Sequence, residues 1–133
     1  MTDSDLRELF NTCRTIAVVG LSDKANRPSY GVAQYMQMRG YQIIPVNPNA
    51  LEILGEKSYA SLLDFPHKVD MVNVFRRTED VMPIAQQAVQ IGAKCLWQQI
   101  GVMNEEADGL AQAHGLLSVM DQCLKIEHRA LQI

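Results

Sequence analysis

The sequence predicts one α/β domain built on a doubly wound, mainly parallel sheet of about five strands, with helices on both faces. Its length of 133 residues fits a single domain spanning 1–133. Apolar runs alternate along the chain with helical patterns, an order that produces parallel strands joined by right-handed crossovers. Apolar residues make up 47% of the chain and aromatic residues only 6%, which suits an aliphatic sheet buried on both faces. We therefore expect a Rossmann-like architecture.

Five short apolar runs, each bounded by turn residues such as Gly, Pro or Asn, predict the strands. In chain order they are 14–20, 41–46, 69–75, 94–98 and 116–120. The signal Asn47-Pro48-Asn49 predicts a turn after the second strand, and residues 51–59 are expected to be irregular or to carry a short strand. Parallel sheets bind ligands beyond the carboxyl ends of their strands, so the residues that follow each strand are the first candidates for a site.

Helical patterns fill most of the segments between these strands. The predicted helices are 4–12, 30–39, 78–91, 104–114 and 124–130, with one further helical turn at 61–64. Asp3 or Ser4 is the expected cap of the first helix, and Thr78 and Asn104 are the expected caps of the third and fourth. Pro83 falls near the first turn of the third helix, where proline costs little.

Charge and cysteine usage narrow the function. The net charge of −3 makes the chain a poor general binder of nucleic acid or anionic membranes. No apolar run approaches the ~20 residues that span a bilayer, and the acidic, polar N-terminus is no signal peptide. Cys13, Cys95 and Cys123 are widely spaced and odd in number, as expected for free thiols in the cytoplasm. No metal or catalytic-triad spacing joins the histidines His67, His114 and His128.

The residues that follow the first strand are suited to holding an anion. Gly20 permits a tight turn or a positive φ. The N-terminus of the next helix offers unpaired N–H groups, and the hydroxyls of Ser22 and Ser29 add donors. Arg27 adds a planar cation that matches phosphate oxygens. A simple connector with a helix cap is the alternative, but a loop of this length at this position is uncommon without a function.

This segment is not the usual dinucleotide fingerprint. That pattern needs closely spaced glycines and an acidic residue about 20 positions further on, where it bonds the ribose hydroxyl. Asn47 stands at the end of the second strand instead of Asp or Glu, and no Gly-Lys-Ser/Thr follows to make a P-loop. An NAD(P)-binding, oxidoreductase-like protein stays an alternative that the fold allows and Asn47 disfavours.

Six motifs, in order, resemble those of the small CoA-binding domain family over nearly the whole chain. They are Val18-Val19-Gly20-Leu21-Ser22, Arg27-Pro28-Ser29-Tyr30-Gly31-Val32, Ile44-Pro45-Val46-Asn47-Pro48, Val74-Phe75-Arg76-Arg77, Ile91-Gly92-Ala93-Lys94 and Met120-Asp121-Gln122-Cys123-Leu124-Lys125. The chain looks most similar to the stand-alone bacterial members of YccU type. The family is related to the N-terminal domain of the succinyl-CoA synthetase alpha subunit.

The resemblance implies that coenzyme A lies across the carboxyl ends of the strands. The implied contacts come from three segments, at the ends of the first, second and fourth predicted strands. These contact residues are Gly20, Leu21, Ser22 and Asp23, then Val46, Asn47 and Pro48, and then Gln98, Gln99 and Ile100. Arg27, Ser29 and Tyr30 belong to the matching motif at the next helix. Two features differ from the synthetase. Ala50 stands near the place of a ligand-binding lysine, and the phosphorylated catalytic histidine belongs to a second domain, so ligase activity is not implied.

Further candidates follow the third and fourth predicted strands. Arg76 and Arg77 suit the 3′-phosphate or diphosphate of the cofactor, with Arg76 preferred, and the alternative is pairing with the neighbouring acidic residues Glu79 and Asp80. Phe75 fits either packing on the adenine or packing in the core. Gln98 and Gln99 are candidates for bonding the amides of the pantetheine arm. Trp97 is expected in the core.

Cys123 fits either a buried small hydrophobe, the favoured role, or a thiol that forms a mixed disulfide with coenzyme A. The function predicted is binding of coenzyme A or an acyl-CoA by a protein that is not an enzyme, with no catalytic residue and no metal. A regulatory role is one form of this function. The alternatives are the NAD(P)-binding protein and a subunit that completes an acyl-CoA ligase with a partner. The expected state is a cytoplasmic monomer or homodimer.

Overall fold

The computed structural model describes residues 1–133. Its main sheet has five parallel strands in the order β2-β1-β5-β6-β7, and a small antiparallel ribbon joins β3 to β4. The strands are β1 Thr15–Val19, β2 Gln42–Val46, β3 Glu52–Ile53, β4 Glu56–Lys57, β5 Met71–Val74, β6 Cys95–Gln98 and β7 Leu117–Val119. From β1 the chain adds β2 on one side and β5 to β7 on the other, so the switch point where open parallel sheets form a crevice lies between β1 and β5.

Five α-helices connect the strands. They are α1 Asp3–Thr12, α2 Pro28–Met38, α3 Val81–Gln90, α4 Glu105–Ala113 and α5 Leu124–Ala130, with short 3₁₀ turns at Leu62–Asp64 and Thr78–Asp80. No helix combines the length and the apolar character needed to cross a bilayer. The expected doubly wound α/β architecture is confirmed.

The sheet separates two hydrophobic cores. On one face, Phe10 of α1 and Met36 of α2 pack with Trp97 of β6, and all three side chains are buried. On the other face, Val72 and Leu96 pack with buried alanines of α3 and α4, which are Ala85, Ala88, Ala107 and Ala111. The alternation of side chains along each strand sends consecutive residues to opposite cores.

The first three predicted helices start at other residues in the structure. Thr2, and neither Asp3 nor Ser4, caps α1, because its hydroxyl accepts the Asp5 N–H while the Asp5 carboxylate accepts the Thr2 N–H. Helix α2 begins at Pro28, two residues before the expected start, because proline has the φ of a first helical position preset.

Thr78 does not cap an α-helix, so that expectation is wrong. A 3₁₀ turn occupies Thr78–Asp80 and α3 starts after it, while the Thr78 hydroxyl accepts the Met103 N–H at 3.1 Å. The expected cap of α4 is confirmed, because the side chain of Asn104 accepts the Ala107 N–H at 2.9 Å. Pro83 is the third residue of α3, within its first turn.

Candidate functional site

The carboxyl ends of four strands bring the candidate segments together. Val19 at the end of β1 pairs with Val46 of β2 on one side and with Val74 of β5 on the other. Val74 in turn pairs with Gln98 at the end of β6. The loops that follow these strands therefore meet at one edge of the sheet, as the sequence predicts.

Gly20 is at the closest approach of two of these loops. Its φ of +92° lies in the left-handed region, and a Cβ placed there would overlap the carbonyl oxygen of Phe75. The same Cβ position lies 3.4 Å from Cδ of Arg76, so the stem of that arginine passes over the glycine. Only glycine allows the two loops to pack this tightly.

The loop at 21–27 keeps several backbone donors unpaired. The Ser29 hydroxyl accepts the Ser22 N–H at 3.0 Å, and the Ser22 hydroxyl accepts the Lys24 N–H at 3.1 Å, so both serines shape the loop. No protein acceptor bonds the N–H groups of Asp23, Ala25, Asn26 and Ser29. Leu21 is fully buried, and its carbonyl accepts the side-chain amide of Asn47, so this residue anchors the loop and is not exposed to a ligand. The loop thus presents free amides at the start of α2, where an anion is stabilised.

Asn47 joins the turn after β2 to the loop after β1. Its side-chain amide donates to the Leu21 carbonyl at 2.9 Å, and its side-chain oxygen accepts the Asn49 N–H at 2.8 Å. Both ends of the side chain are therefore engaged within the protein. Val46 is buried in the core, and Pro48 is exposed at the tip of the turn. Asn47 therefore links the two loops. An amide occupies the position from which a carboxylate would bond a ribose hydroxyl.

The two adjacent arginines after β5 have different surroundings. Arg77 pairs with Asp80 at 3.2 Å and with Glu79 at 3.4 Å. Arg76 has no carboxylate within ion-pair distance, although Glu79 and Asp80 follow it by three and four residues. The pairing considered as the alternative role for this motif is thus found at Arg77, whereas Arg76 keeps its guanidinium available.

Three concavities adjoin along this edge. The largest, of about 610 Å³, is lined by Pro28, Phe75, Arg76, Gln99, Ile100 and Val102, together with Arg77 and Asp80. A second, of about 320 Å³, shares Phe75 and Pro28 with it and extends over Gly20 and Ser22 to Lys24, Arg27 and Ser29. A third, of about 380 Å³, lies beyond Arg76 and reaches Val19, Val46, Ser61 and Leu62. Because they share lining residues, they form one extended surface with Arg76 near its middle.

The side chains of Gln98 and Gln99, which follow Trp97, have different partners. Gln98 is fully buried, where its side chain donates to the Asn104 carbonyl at 3.0 Å and accepts the Asn104 N–H at 2.7 Å. It therefore braces the start of α4 and is not available to a pantetheine amide, contrary to our expectation. Gln99 lines the largest cavity, and its side-chain oxygen accepts the Leu124 N–H at 3.3 Å. Trp97 is buried in the core, as expected.

The remaining candidates occupy peripheral or structural positions. Asp23 is exposed on the loop after β1, and Tyr30 is half-buried against the core. Phe75 is half-buried, packs against the core and also lines two of the cavities, so it combines both of its expected surroundings. Cys123 is half-buried against the core, just before α5.

His128 belongs to α5 and does not line the cavities at the carboxyl edge of the sheet. It is buried, and its Nδ1 is 3.0 Å from the Tyr35 hydroxyl. Burial, with a further contribution from the nearby cation of Arg39, lowers its pKa. His114 ends α4, where its Nδ1 is 3.0 Å from the Leu110 carbonyl.

Lys24, Pro28 and Val102 are among the residues that line the extended surface and that sequence reasoning missed. Lys24 was passed over although it is a cation in the anion-binding loop, so its charge was a usable signal. Pro28 was read only as part of a motif, and Val102 carries no signal that distinguishes it from any other apolar residue. The position of Val102 depends on how the chain turns after β6.

These features define a class of protein. A Rossmann-like domain with a glycine-dependent loop contact, free amides at a helix start and an unpaired arginine at the carboxyl edge has the features typical of domains that bind anionic small molecules. The family model described as the CoA binding domain matches residues 14–129. The chain therefore belongs to the CoA-binding domain family.

Individual relatives agree with this assignment. YneT of Bacillus subtilis (strain 168) is 41% identical over 125 residues, which cover 94% of this chain and 93% of YneT. The acetate–CoA ligase (ADP-forming) II of Archaeoglobus fulgidus is 36% identical over 95 residues, which cover 70% of this chain but only 14% of the ligase. A solved structure of a hypothetical protein from Pyrococcus horikoshii OT3 aligns with a TM-score of 0.96 and 38% identity, over 100% of this chain and 94% of that one.

Proposed function

We propose that this protein binds coenzyme A or an acyl-CoA as a non-catalytic module. The observation that carries the proposal is Arg76, a cation without an acidic partner at the junction of adjoining cavities. The side chain of Arg76 is exposed to solvent and has no counter-charge within ion-pair distance, so its guanidinium at a concave surface is free to pair with an anionic ligand. The extent of the three cavities suits a long ligand with separate phosphate and uncharged portions.

The chemistry of the cavities suggests which part of the ligand each one takes. Lys24, Arg27 and the free amides at the start of α2 would bind the diphosphate. Arg76 would bind the 3′-phosphate, for which a guanidinium supplies two parallel donors. The apolar wall made by Ile100 and Val102 suits the uncharged pantetheine arm. The cationic and apolar parts of the surface match these ligand groups, and the acidic side chains that also line it, Glu79 and Asp80, pair with Arg77.

The relatives support the ligand and limit the activity. A ligase named for acetate and CoA contains a segment similar to this chain, but the match covers only 14% of that enzyme. We assign binding to this protein and leave the ligase reaction to the rest of the enzyme. The three cysteines of this protein are unpaired, which suits the reducing cytoplasm where we place the protein.

Calorimetric titration of the purified protein with CoA, dephospho-CoA and NADH tests the proposal. We expect CoA to bind, dephospho-CoA to bind more weakly, and NADH to compete poorly, because Asn47 is already engaged with Leu21 and Asn49. No heat and no thermal shift at millimolar CoA would overturn the assignment. Tighter binding of NADH than of CoA would replace it with the NAD(P) alternative.

Three further measurements separate the forms of this function. Native mass spectrometry of freshly purified protein would identify a co-purifying CoA species. A change of oligomeric state on adding CoA, measured by light scattering, would favour a regulatory role. Turnover of acetyl-CoA by the isolated chain would contradict the non-catalytic assignment. Turnover only after addition of a second protein would favour the ligase-subunit alternative.

A further inference from the structure

The turn that follows β6 forms one wall of the largest cavity. The Val102 N–H donates to the Gln99 carbonyl at 2.8 Å, and Gly101 has a φ of +85°, as the third residue of a tight turn often requires. Ile100 is at the corner of this turn and is 63% exposed. An aliphatic side chain held out at a turn corner beside a cavity is placed for contact with an apolar group.

Asp121 holds this turn from the end of β7. Its carboxylate accepts the Gly101 N–H at 2.7 Å, and its own backbone N–H donates to the Val102 carbonyl at 3.2 Å. Two hydrogen bonds from one residue thus secure consecutive residues of the turn. The carboxylate has no lysine or arginine within ion-pair distance, so this contact is its main interaction.

The backbone of Asp121 is itself unusual. Its φ of +58° lies in the left-handed region, which residues other than glycine rarely adopt, although aspartate tolerates it better than most. Non-glycine residues in such conformations occur where the surrounding structure enforces them, often at functional sites. Here the conformation allows the N–H and the carboxylate of a single residue to reach the same turn.

The residues after Asp121 continue the attachment. The Gln122 carbonyl accepts the Trp97 indole N–H at 2.9 Å, and the Leu124 N–H donates to the Gln99 side chain at 3.3 Å. We propose that Asp121 is a positioning residue that fixes the turn at 99–102, so that Ile100 packs against the uncharged arm of the bound cofactor. This inference rests on the proposed function, because it deepens the assignment of the same site.

Two substitutions separate the carboxylate from the backbone conformation. Asp121→Gly keeps access to the left-handed φ but removes the acceptor for the Gly101 N–H. Asp121→Asn keeps both an acceptor oxygen and tolerance of that φ. We expect Asp121→Gly to raise the Kd for CoA roughly tenfold, as the loss of a charge-assisted hydrogen bond would. Asp121→Asn should stay within about threefold of the wild type, since a neutral acceptor is weaker but present.

A double-mutant cycle with Ile100→Ala shows whether Asp121 acts through the turn. If it does, adding Asp121→Gly to Ile100→Ala should raise the Kd little beyond the effect of Ile100→Ala alone. CoA and dephospho-CoA should weaken by the same factor, because both carry the pantetheine arm. A purely structural role would give additive effects, and full additivity or an unchanged Kd in Asp121→Gly would overturn the proposal.

Amide hydrogen exchange of the ligand-free protein supplies a second readout. Asp121→Gly should accelerate exchange at Gly101 and Val102 while the amides of the central strands keep their protection. Unchanged exchange at Gly101 would contradict the proposal independently of any ligand. Absence of CoA binding by the wild type would remove both this inference and the proposed function. Normal binding by the wild type and an unchanged Kd in Asp121→Gly would remove this inference alone.

Discussion

At the amino edge of the parallel sheet the carboxylate of Asp70 has its partners inside the protein, whereas at the carboxyl edge the guanidinium of Arg76 has none. Asp70 is 5% exposed and accepts the N–H groups of Arg14 at 2.7 Å and Thr15 at 3.2 Å. Its second oxygen is 3.6 Å from the Lys94 ammonium. The paired charge joins loops to the sheet, while the unpaired charge at the opposite edge is available to a ligand.

The pKa of Asp70 reflects its partners. Burial alone would raise it, but the backbone N–H groups of Arg14 and Thr15, with the cations of Lys94 and Lys68, outweigh that effect and lower the pKa below its usual value of 3.8. The charge at the amino edge thus contributes to the stability of the fold, whereas under the proposed function the charge at the carboxyl edge binds a ligand. Substitutions of these two charged residues, Asp70 and Arg76, should therefore change different measured quantities.

The largest effect is expected from Gly20→Ala at the carboxyl edge. The new Cβ would meet the backbone carbonyl of Phe75, which cannot swing aside as a side chain would, and the positive φ adds strain. We expect a loss of about 3 kcal/mol in the free energy of unfolding, measured by urea denaturation, together with loss of CoA binding. Gly109→Ala in α4 is the matched control, since its Cβ meets nothing within 4 Å, and it should stabilise by about 0.5–1 kcal/mol. Equal stability of the two variants would contradict the close approach.

Asp70→Ala at the amino edge should cost about 2 kcal/mol of unfolding free energy, because two partly buried N–H groups lose their acceptor. CoA affinity should change little, which distinguishes the two edges. Lys68→Gln serves as the control, because the Lys68 side chain is 71% exposed, its ammonium is 3.9 Å from the Asp70 carboxylate, and such exposed pairs contribute little. A large loss in Lys68→Gln would show that the ion pair, and not the backbone bonds, stabilises this edge.

The same carboxylate predicts a dependence of stability on pH. Because the pKa of Asp70 is lower in the folded state than the usual 3.8, its contribution is complete above that value and is lost as pH falls through and below it. Acid unfolding of Asp70→Asn, followed by circular dichroism, should show a shallower loss of stability below about pH 4 than the wild type. Parallel acid limbs for the two proteins would rule out this role for Asp70.

Arg76→Gln should raise the Kd for CoA about tenfold while leaving the unfolding free energy nearly unchanged, since an exposed guanidinium without a partner stabilises nothing. Arg77→Gln is the matched control, because its charge is already paired with Asp80 and Glu79, and we expect a change of less than about twofold. Titration calorimetry measures both. A larger effect at Arg77 would reverse the assignment of the two arginines. Arg76→Gln should also remove most of the preference for CoA over dephospho-CoA.

The smallest effect concerns salt. The cations at the carboxyl edge are exposed, so raising ionic strength from 0.05 to 0.5 M should weaken CoA binding by roughly fivefold through screening. The melting temperature should move little over the same range, because the partners of Asp70 are mostly backbone N–H groups in a buried setting. A salt-independent Kd would indicate that apolar contacts, not the cations, supply the affinity.

The sequence predicted the fold well because its signals are local. The run Ile16–Val19 is a strand in the structure, and the Asn104 cap is found as expected. The predicted positions of element ends were less accurate, as at Thr78, where a 3₁₀ turn precedes α3. A cap depends on which acceptor reaches a free N–H, and several candidates near a helix start look equivalent in sequence.

The different positions of the Gln98 and Gln99 side chains could have been predicted from the sequence. Consecutive residues in a strand point to opposite faces, so Gln98 and Gln99 were never placed to serve one ligand group together. Gln98 faces α4 and bonds Asn104, whereas Gln99 lies on the other face beside Leu124. Applying the alternation to the end of β6 would have separated them.

The sequence by itself determined the α/β class, the alternation of strands and helices, and the edge of the sheet where candidate residues collect, because periodicity and turn residues act over a few positions. Only the tertiary structure decided that Arg76 is free while Arg77 is paired, that Asn47 ties two loops, and that Asp121 secures the turn at Gly101. Those outcomes depend on distances between residues far apart in the chain. Such distances are set by strand order and loop packing, which no local pattern contains.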